Sequence, residues 1–595
     1  MCSKVAEACK WTIGGRELRF DRQRLLLLFL TSILAVYLAF VAFQPTQLQD
    51  IIRNYGYYII TAAFVMFVYY AVRTWSSGRG REGVPNERWL WLWVGVGTLL
   101  LWGGDFFRFK VLFDEYVLQA TSLSMHLDKH VSTPMRAHWL QGSFLLLDGY
   151  LDKRPYFLPY LVSLIHDITG YRVANVLFLN ALLVPIFLWM VSRVALFFGG
   201  LRAAFCVTAL LSTLPILAQV GSCGGMEMLN LTMMAVVLHA MVLYISEQSS
   251  VRLGYLCFGI VLFAQCRYES IVFVAAVALV LVFVWIRSGR IDLPVALLVT
   301  PLFMVPLVWQ SRYVDISPSL WELKAGQSAR FSVEYLQGNL EGMGNFFFAV
   351  GHKFPSSLLL TILGIFGAPI LMGALFNKYR ARRSMRSEWF ALLAMGVMTL
   401  MLMGLFLFYY WARMDDFLAC RFSLPIYLML ALAAALGISR SADGRPWVMK
   451  AFIWLWVINL SAFYFPLAAN RVSTVTNMVS AEVSWEVDYI NALPKVPRLI
   501  IGHSALPWIV NGYATVGMLR ASNRNQQIEY HVREGTFHEV LVVQLLTPTS
   551  IEGDFTVLEF STVPDDWKLE TLAVKRFGGR LVRISRRVFD EVPKT

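Results

Sequence analysis

The sequence predicts an α-helical polytopic membrane protein, with about thirteen transmembrane helices, that carries a small C-terminal α/β domain outside the membrane. Two observations predict the bundle and a third predicts the tail. Apolar residues make up 57% of the 595 residues and charged ones only 15%, with a mean hydropathy of +0.57, whereas soluble domains carry about 25% charged residues. The apolar residues also come in unbroken runs close to the roughly 20 that a helix needs to cross hydrocarbon. Beyond residue 470 the runs stop, and short strand-like segments separated by Pro, Gly and polar turns replace them.

The formal net charge of +13 fits basic cytoplasmic loops in such a chain, so no nucleic-acid partner is expected. The 7 cysteines include no Cys-x-x-Cys pair and lie mostly inside apolar runs, as small core residues do. The first run lacks a small-residue cleavage site and is long enough to span, which reads as a membrane helix rather than a cleaved signal.

The runs at 25–43, 57–72 and 89–103 are the first three spans. Arg16, Arg19, Arg22 and Arg24 precede the first, and Arg73, Arg79, Arg81 and Arg88 separate the second from the third. Basic flanks stay in the cytoplasm, so the N-terminus is inside and the long segment 104–172 is outside. Spans follow at 173–198, 203–218, 228–246, 252–266, 270–286 and 292–309, then an outer loop at 310–353 and a span at 355–376. Counting places the next loop, NKYRARRSMRSE with Lys378, Arg380, Arg382, Arg383 and Arg386, inside, where its charge also puts it. Spans at 388–410, 422–438 and 451–466 complete a bundle domain over 1–469, first long loop included. The tail, 470–595, then lies outside, with short strands in RLIIGHSALPWIVNGYATVGM, EVLVVQLL, DFTVLEF and GRLVRISRRV and a helix over 480–492. The expected location is a bacterial inner membrane.

Chemistry concentrates on the outer face. Asp114 and Glu115 stand adjacent just beyond the third span. Carboxylates at an apolar boundary are costly unless solvated, paired or used; burial raises the pKa, and a positioned carboxylate then serves as general base toward a hydroxyl. A solvated first helical turn is the alternative. Downstream come Arg154-Pro155-Tyr156, an apolar helix too short to span with ease, and a turn at Gly170. In this order of features the sequence resembles the GT-C-fold superfamily of polytopic glycosyltransferases that use polyprenyl-phosphate sugars, which includes protein O-mannosyltransferases and lipid A aminoarabinose transferases. The resemblance extends to LFAQCRYESIVFVAAVAL, with Arg267, Tyr268 and Glu269 at a span end, and to CRFSLPIYLMLALAAAL, with Arg421 and Pro425. It covers about 104–440. The acidic pair follows the third span here, where the family places it after the first; two added spans keep its side of the membrane. The Trp-Trp-Asp motif of oligosaccharyltransferases is absent, and Trp485-Glu486-Val487-Asp488 is not its equivalent.

The resemblance implies an inverting transfer of a sugar from a polyprenyl phosphate to a glycan, lipid or protein acceptor at the outer face. Asp114 is then the expected general base, with Glu115 orienting the acceptor or sharing the role. Arg267, His352, Lys353 and Arg421 are the expected donor-phosphate ligands. Snorkelling at a span end is the alternative for Arg421 and Lys353, and an internal ion pair with Glu269 is the alternative for Arg267. Arg154, Glu227, Glu269 and His138 are further cleft candidates; Glu227 lies in the Gly-rich GSCGGMEMLN, where a simple tight turn competes. No cofactor is expected, and no divalent metal, because His, Asp and Glu do not cluster at ligand spacing. Gly502-His503-Ser504 in the tail suggests acceptor recognition or a lid. A transporter or flippase for a lipid-linked or small polar substrate is the competing function, but its charges would gather at the bilayer midplane between related halves. A scaffold without activity is the third.

Overall fold

A computed structural model describes residues 8–13, 16–76, 87–110, 112–317, 320, 323, 327, 329–380, 387–470, 478–549 and 555–589. The basic segments carrying Arg79 and Arg81, and Arg382, Arg383 and Arg386, fall outside the described residues. A short hairpin of β1 (Ala8–Ile13) and β2 (Arg16–Asp21) precedes the first span. Asp21 caps helix Arg22–Phe40 by accepting hydrogen bonds from the backbone N–H of Gln23 and Arg24.

Each apolar run in the sequence falls on a helix. Nine helices among the described residues are long and apolar enough to cross a membrane, and Phe157–Thr169, Ser250–Ala264 and Leu358–Gly373 are shorter apolar ones. The chain is therefore a polytopic helical membrane protein. The burial pattern agrees with a lipid solvent. Helix Arg22–Phe40 presents Leu26, Phe29, Leu30 and Val36 outward, whereas the most apolar stretch of Glu227–Ser246 is 94% buried at the bundle's centre. The runs at 173–198 and 203–218 cover helix Asn175–Ser212, broken at Gly200, and the start of helix Pro215–Gly221. The 38 residues of Asn175–Ser212 would reach about 57 Å unbroken, nearly twice the hydrocarbon thickness. Gly200 turns the chain with φ +69° and ψ −167°, a conformation closed to side-chain-bearing residues.

The chain divides into two compact units: Met1–Arg108 with Lys153–Leu158 and Leu177–Ser473, and Phe109–Asp152 with Pro159–Val176 and Thr474–Thr595. The second unit is built on a mixed sheet. Its strands are β3 (Arg136–Leu140), β4 (Ser143–Leu147), β5 (Arg498–Gly502), β6 (Ala514–Gly517), β7 (Glu539–Pro548), β8 (Phe555–Val557), β9 (Lys568–Phe577) and β10 (Arg580–Val588). They run in the order β4-β3-β6-β5-β7-β10-β9, with β8 on β7. The strands expected in RLIIGHSALPWIVNGYATVGM are β5 and β6, those in EVLVVQLL, DFTVLEF and GRLVRISRRV are β7, β8 and β10, and the expected helix is Met478–Ala492. Central β5 pairs in parallel with β6 and β7 and is buried along its whole length, which explains its continuous apolar run. Alternation along the strands feeds two cores: Leu499, Ile501, Val540 and Val542 pack with Ile528 and Trp567, while Ile500, Leu541, Val543 and Ile584 pack with Ile490 and Trp508.

Hairpin β3–β4 comes from the first long loop, and joins this sheet through Ala137 opposite Thr515 on β6. Its two-residue turn has Gln141 at φ 49° and Gly142 at φ 79°, the left-handed pair that matches strand twist.

Candidate active site

Two charged clusters stand out, one in each unit. In the bundle, helix Ser250–Ala264 ends and the chain turns through a short 3-10 segment, Tyr268–Val272, with extended Arg267 at its start. A second such segment, Ala419–Ser423, carries Arg421 into the next span. Both arginines converge on Glu227, the first residue of helix Glu227–Ser246. Glu227 Oε1 lies 2.6 Å from Arg267 Nη1 and 3.0 Å from Arg421 Nη1. Arg267 Nε donates to Glu269 Oε1, and its guanidinium lies 5.2 Å from the Phe422 ring centroid.

The Gly-rich turn makes room for this arrangement. A Cβ on Gly225 would stand 2.3 Å from Glu227 Oε2, so only glycine leaves the carboxylate where it is. Asn180 Nδ2 holds the turn from an adjacent helix, donating to the carbonyls of Cys223 (2.7 Å) and Gly225 (2.8 Å). Glu227 Oε2 itself is buried and accepts no hydrogen bond among the described residues. Arg267 and Glu227 have side-chain exposures of 4% and 2%, against 15% for Arg421. Arg421 is thus the more open of the two cations.

Four of the sequence candidates, Glu227, Arg267, Glu269 and Arg421, therefore meet, and the ion pair weighed as an alternative for Arg267 is present. The other bundle candidates make contacts of their own. His352 and Lys353 are exposed, with Lys353 Nζ 5.0 Å from the ring centroid of its neighbour Phe354. Arg154 is half-buried, and its carbonyl accepts from Gln310 Nε2 at 2.8 Å.

In the second unit, Asp114 and Glu115 occupy the first turn of helix Leu112–Leu127, which suits their charge to the helix dipole. They are not solvated: Asp114 is 9% exposed and Glu115 fully buried. Glu115 Oε2 reaches back to accept from the backbone N–H of Lys110 at 2.5 Å. Tyr116 follows, its ring edge-on to Phe109 at 4.8 Å. Burial holds the Tyr116 hydroxyl well above its ordinary pKa, helped by the charges of Glu115, Glu486 and Asp488. Helix Met478–Ala492 is tied to the same segment, since Ser480 Oγ donates to the Phe109 carbonyl at 2.5 Å. Two residues that the sequence reading passed over, Glu482 and Glu486, lie on its buried side.

His138 lies elsewhere in the sheet, packed on His531 and Phe537, and burial lowers its pKa with help from His531 and Arg136. His503 is held down to about 4 by burial and by the Arg580 charge. Arg580 Nε also lies 3.7 Å from Glu482 Oε2. Gly170, with φ +78°, makes the left-handed turn after helix Phe157–Thr169. Asn175 Nδ2 fastens that turn to the His166 ring (2.8 Å) and the Gly170 carbonyl (3.1 Å).

The chain matches no protein-family model and no curated protein. Among solved structures it is similar to ArnT from Cupriavidus metallidurans bound to undecaprenyl phosphate, at 13% identity and a TM-score of 0.49, over 84% of this chain and 98% of that one. It is also similar to the arabinosyltransferase EmbB from Mycobacterium smegmatis, at 11% identity and a TM-score of 0.37, over 79% of this chain and 45% of that one.

Proposed function

We propose that the protein is a GT-C-like membrane glycosyltransferase that moves one sugar from a polyprenyl phosphate to an acceptor hydroxyl, with inversion, at the outer face of the inner membrane. The motif order supports the superfamily. The observation that carries the chemistry is the convergence of Arg267 and Arg421 on one oxygen, Glu227 Oε1. Two guanidiniums meeting at a single anionic oxygen form a receptor for oxyanions, and phosphate suits their planar, multidentate donors.

In this reading Asp114 takes the proton of the acceptor hydroxyl as its oxygen attacks the anomeric carbon. The bond from that carbon to the phosphate oxygen breaks, and polyprenyl phosphate leaves carrying the electron pair. Arg421, the more open cation, receives the developing charge, while Arg267 is held beside it through Glu227. Asp114 is buried in the first turn of helix Leu112–Leu127, and a carboxylate fixed there, out of bulk water, fits this role. The N-terminus inside and the second unit outside complete the proposed topology.

Purified protein offered a panel of labelled polyprenyl-phosphate sugars should transfer at least one. Asp114→Asn should lower kcat by about 10²–10⁴-fold, the range of general-base catalysis. Absence of transfer with every donor, or full activity in the variant, would defeat the mechanism.

A further inference from the structure

Hairpin β3–β4 and helix Met518–Asn523, which follows β6, carry a charged group that the proposed mechanism does not use. Asp148, just past β4, accepts from Arg136 through Nε at 2.5 Å and Nη2 at 3.4 Å, and from Arg520 Nη1 at 2.6 Å. Both short bonds end on one oxygen, Asp148 Oδ2. The ladder partner of Arg136 is Leu147, not Asp148. Asp148 reaches the arginine from a left-handed backbone, φ 54°, which Asp and Asn tolerate better than other side chains.

A simple tie between helix and hairpin is the competing account, but exposed ion pairs contribute little to stability. This group is open: Arg136 and Arg520 have side-chain exposures of 27% and 39%. Its donors are also poorly answered. Among the described residues Arg136 Nη1 and Arg520 Nε meet no protein acceptor, and Arg520 Nη2 meets only Met135 Sδ at 3.1 Å. A thioether is a weak acceptor for a charged donor. The Arg136 hydrogen bond holds the Asp148 carboxyl below its usual range against the effect of burial, with the charges of Arg520 and Arg524 adding to it. Asp148 therefore stays ionised, and two bonded guanidiniums still outnumber it.

We propose that Arg136 and Arg520 form a receptor for an oxyanion on the acceptor, a phosphate monoester in preference to a carboxylate, with Asp148 holding the two guanidiniums side by side. A carboxylate has two oxygens, and Asp148 shows how many donors it leaves unanswered. A phosphate monoester brings three acceptor oxygens and can face both planar forks at once. The ligand's role as acceptor rests on the glycosyltransferase reading; the anion site does not.

The test titrates full-length protein in detergent with glucose 6-phosphate, glucuronate and glucose, with affinities read by saturation-transfer NMR. The bundle arginines suit phosphate as well, so each titration is repeated in an Arg421→Ala background, where the second unit's binding should survive. Glucose 6-phosphate should bind more tightly than glucuronate, and glucose should show no saturable binding. Arg136→Ala and Arg520→Ala should each weaken glucose 6-phosphate binding about 10-fold or more, the scale of a lost hydrogen bond to a charged group. Arg520→Lys, which keeps the charge without the fork, should lose less. Asp148→Asn should tighten binding several-fold, because it removes a competing charge; a tie that merely shaped the surface would loosen instead. Unchanged affinity in folded Arg136→Ala and Arg520→Ala proteins overturns the proposal. So does glucose 6-phosphate held no better than glucuronate, or loosened by Asp148→Asn. Binding is read without donor or turnover, so failure here is distinct from failure to find a sugar donor.

Discussion

The two charged clusters solve the problem of buried charge in opposite ways. In the bundle, Glu227 and Glu269 answer Arg267, and Glu227 reaches Arg421 as well, so two cations face two anions. In the second unit, among the described residues, Glu486 is buried without a hydrogen bond to its Oε1, and Glu482 has one distant arginine. Compensated charge keeps groups ionised and fixed, which suits holding an anionic headgroup. Uncompensated carboxyls keep their protons, which suits moving or sharing one. Under the proposed function, donor binding would fall to the bundle cluster and acceptor activation to the second unit, and each cluster can be broken separately.

The largest effect is expected where compensation is removed. Arg267→Ala leaves Glu227 and Glu269 buried beside Arg421 alone, and breaking a buried pair from one side costs about 3–5 kcal/mol. Thermal unfolding of the detergent-solubilised protein should fall accordingly, with poor yield. Arg421→Ala, at a more open position, should fold with a smaller loss and raise the donor KM. Equal tolerance of both changes would mean that the cluster is not the electrostatic keystone of the bundle.

A smaller and more local effect is expected at Gly225. Alanine there places Cβ 2.3 Å from Glu227 Oε2, and the carboxylate has to move away from one or both arginines. The protein should fold, since Oε2 is the far end of a flexible side chain, but the donor KM should rise about 10-fold, the equivalent of roughly 1.4 kcal/mol of binding. Gly404→Ala is the control, because nothing stands within 4 Å of its Cβ. Donor KM values for the two variants decide the matter; if they match, Glu227 does not order the arginines.

How far the sequence foretold this contrast differs between the halves. The apolar helices were legible, because lipid demands long apolar runs; about thirteen spans were expected, and nine long and three shorter apolar helices are found among the described residues. Glu227, Arg267, Glu269 and Arg421 were legible as individuals, since a charge in a tight turn between spans stands out against its surroundings. Their convergence was not, because partners 40 residues apart or more are joined only by packing. The second unit was harder. Strands β5, β6, β7, β8 and β10 fall in segments that read as strand-like, but β9 is too polar to do so. Hairpin β3–β4 carried a signal that went unread: RAHWL and SFLLL flank Gln141-Gly142, a two-residue turn. Glu482 and Glu486 are the instructive omission. Both fall on the apolar stripe defined by Val483 and Ile490, and a carboxyl on such a stripe is visible from spacing alone.

The smallest predicted effect tests whether the second unit's interior favours neutral groups as a whole. His503 is half-buried, and its desolvation together with the Arg580 charge brings its pKa down to about 4 from an ordinary 6.5. An unfolded chain takes up this proton near 6.5, whereas the folded chain refuses it until the lower value. The unfolded state thus binds more protons within that window, so the contribution of His503 to stability is complete above 6.5 and is lost as the pH falls toward 4. His503→Gln cannot titrate and lacks this dependence. The difference in Tm between wild type and His503→Gln should therefore be constant above the window and shift within it, with wild type losing ground as the pH drops. Carboxylates titrate in the same range but are common to both proteins and cancel in the difference. A difference that stays flat through the window would mean that water reaches His503, and the neutral-interior account would then hold for Glu486 alone or not at all.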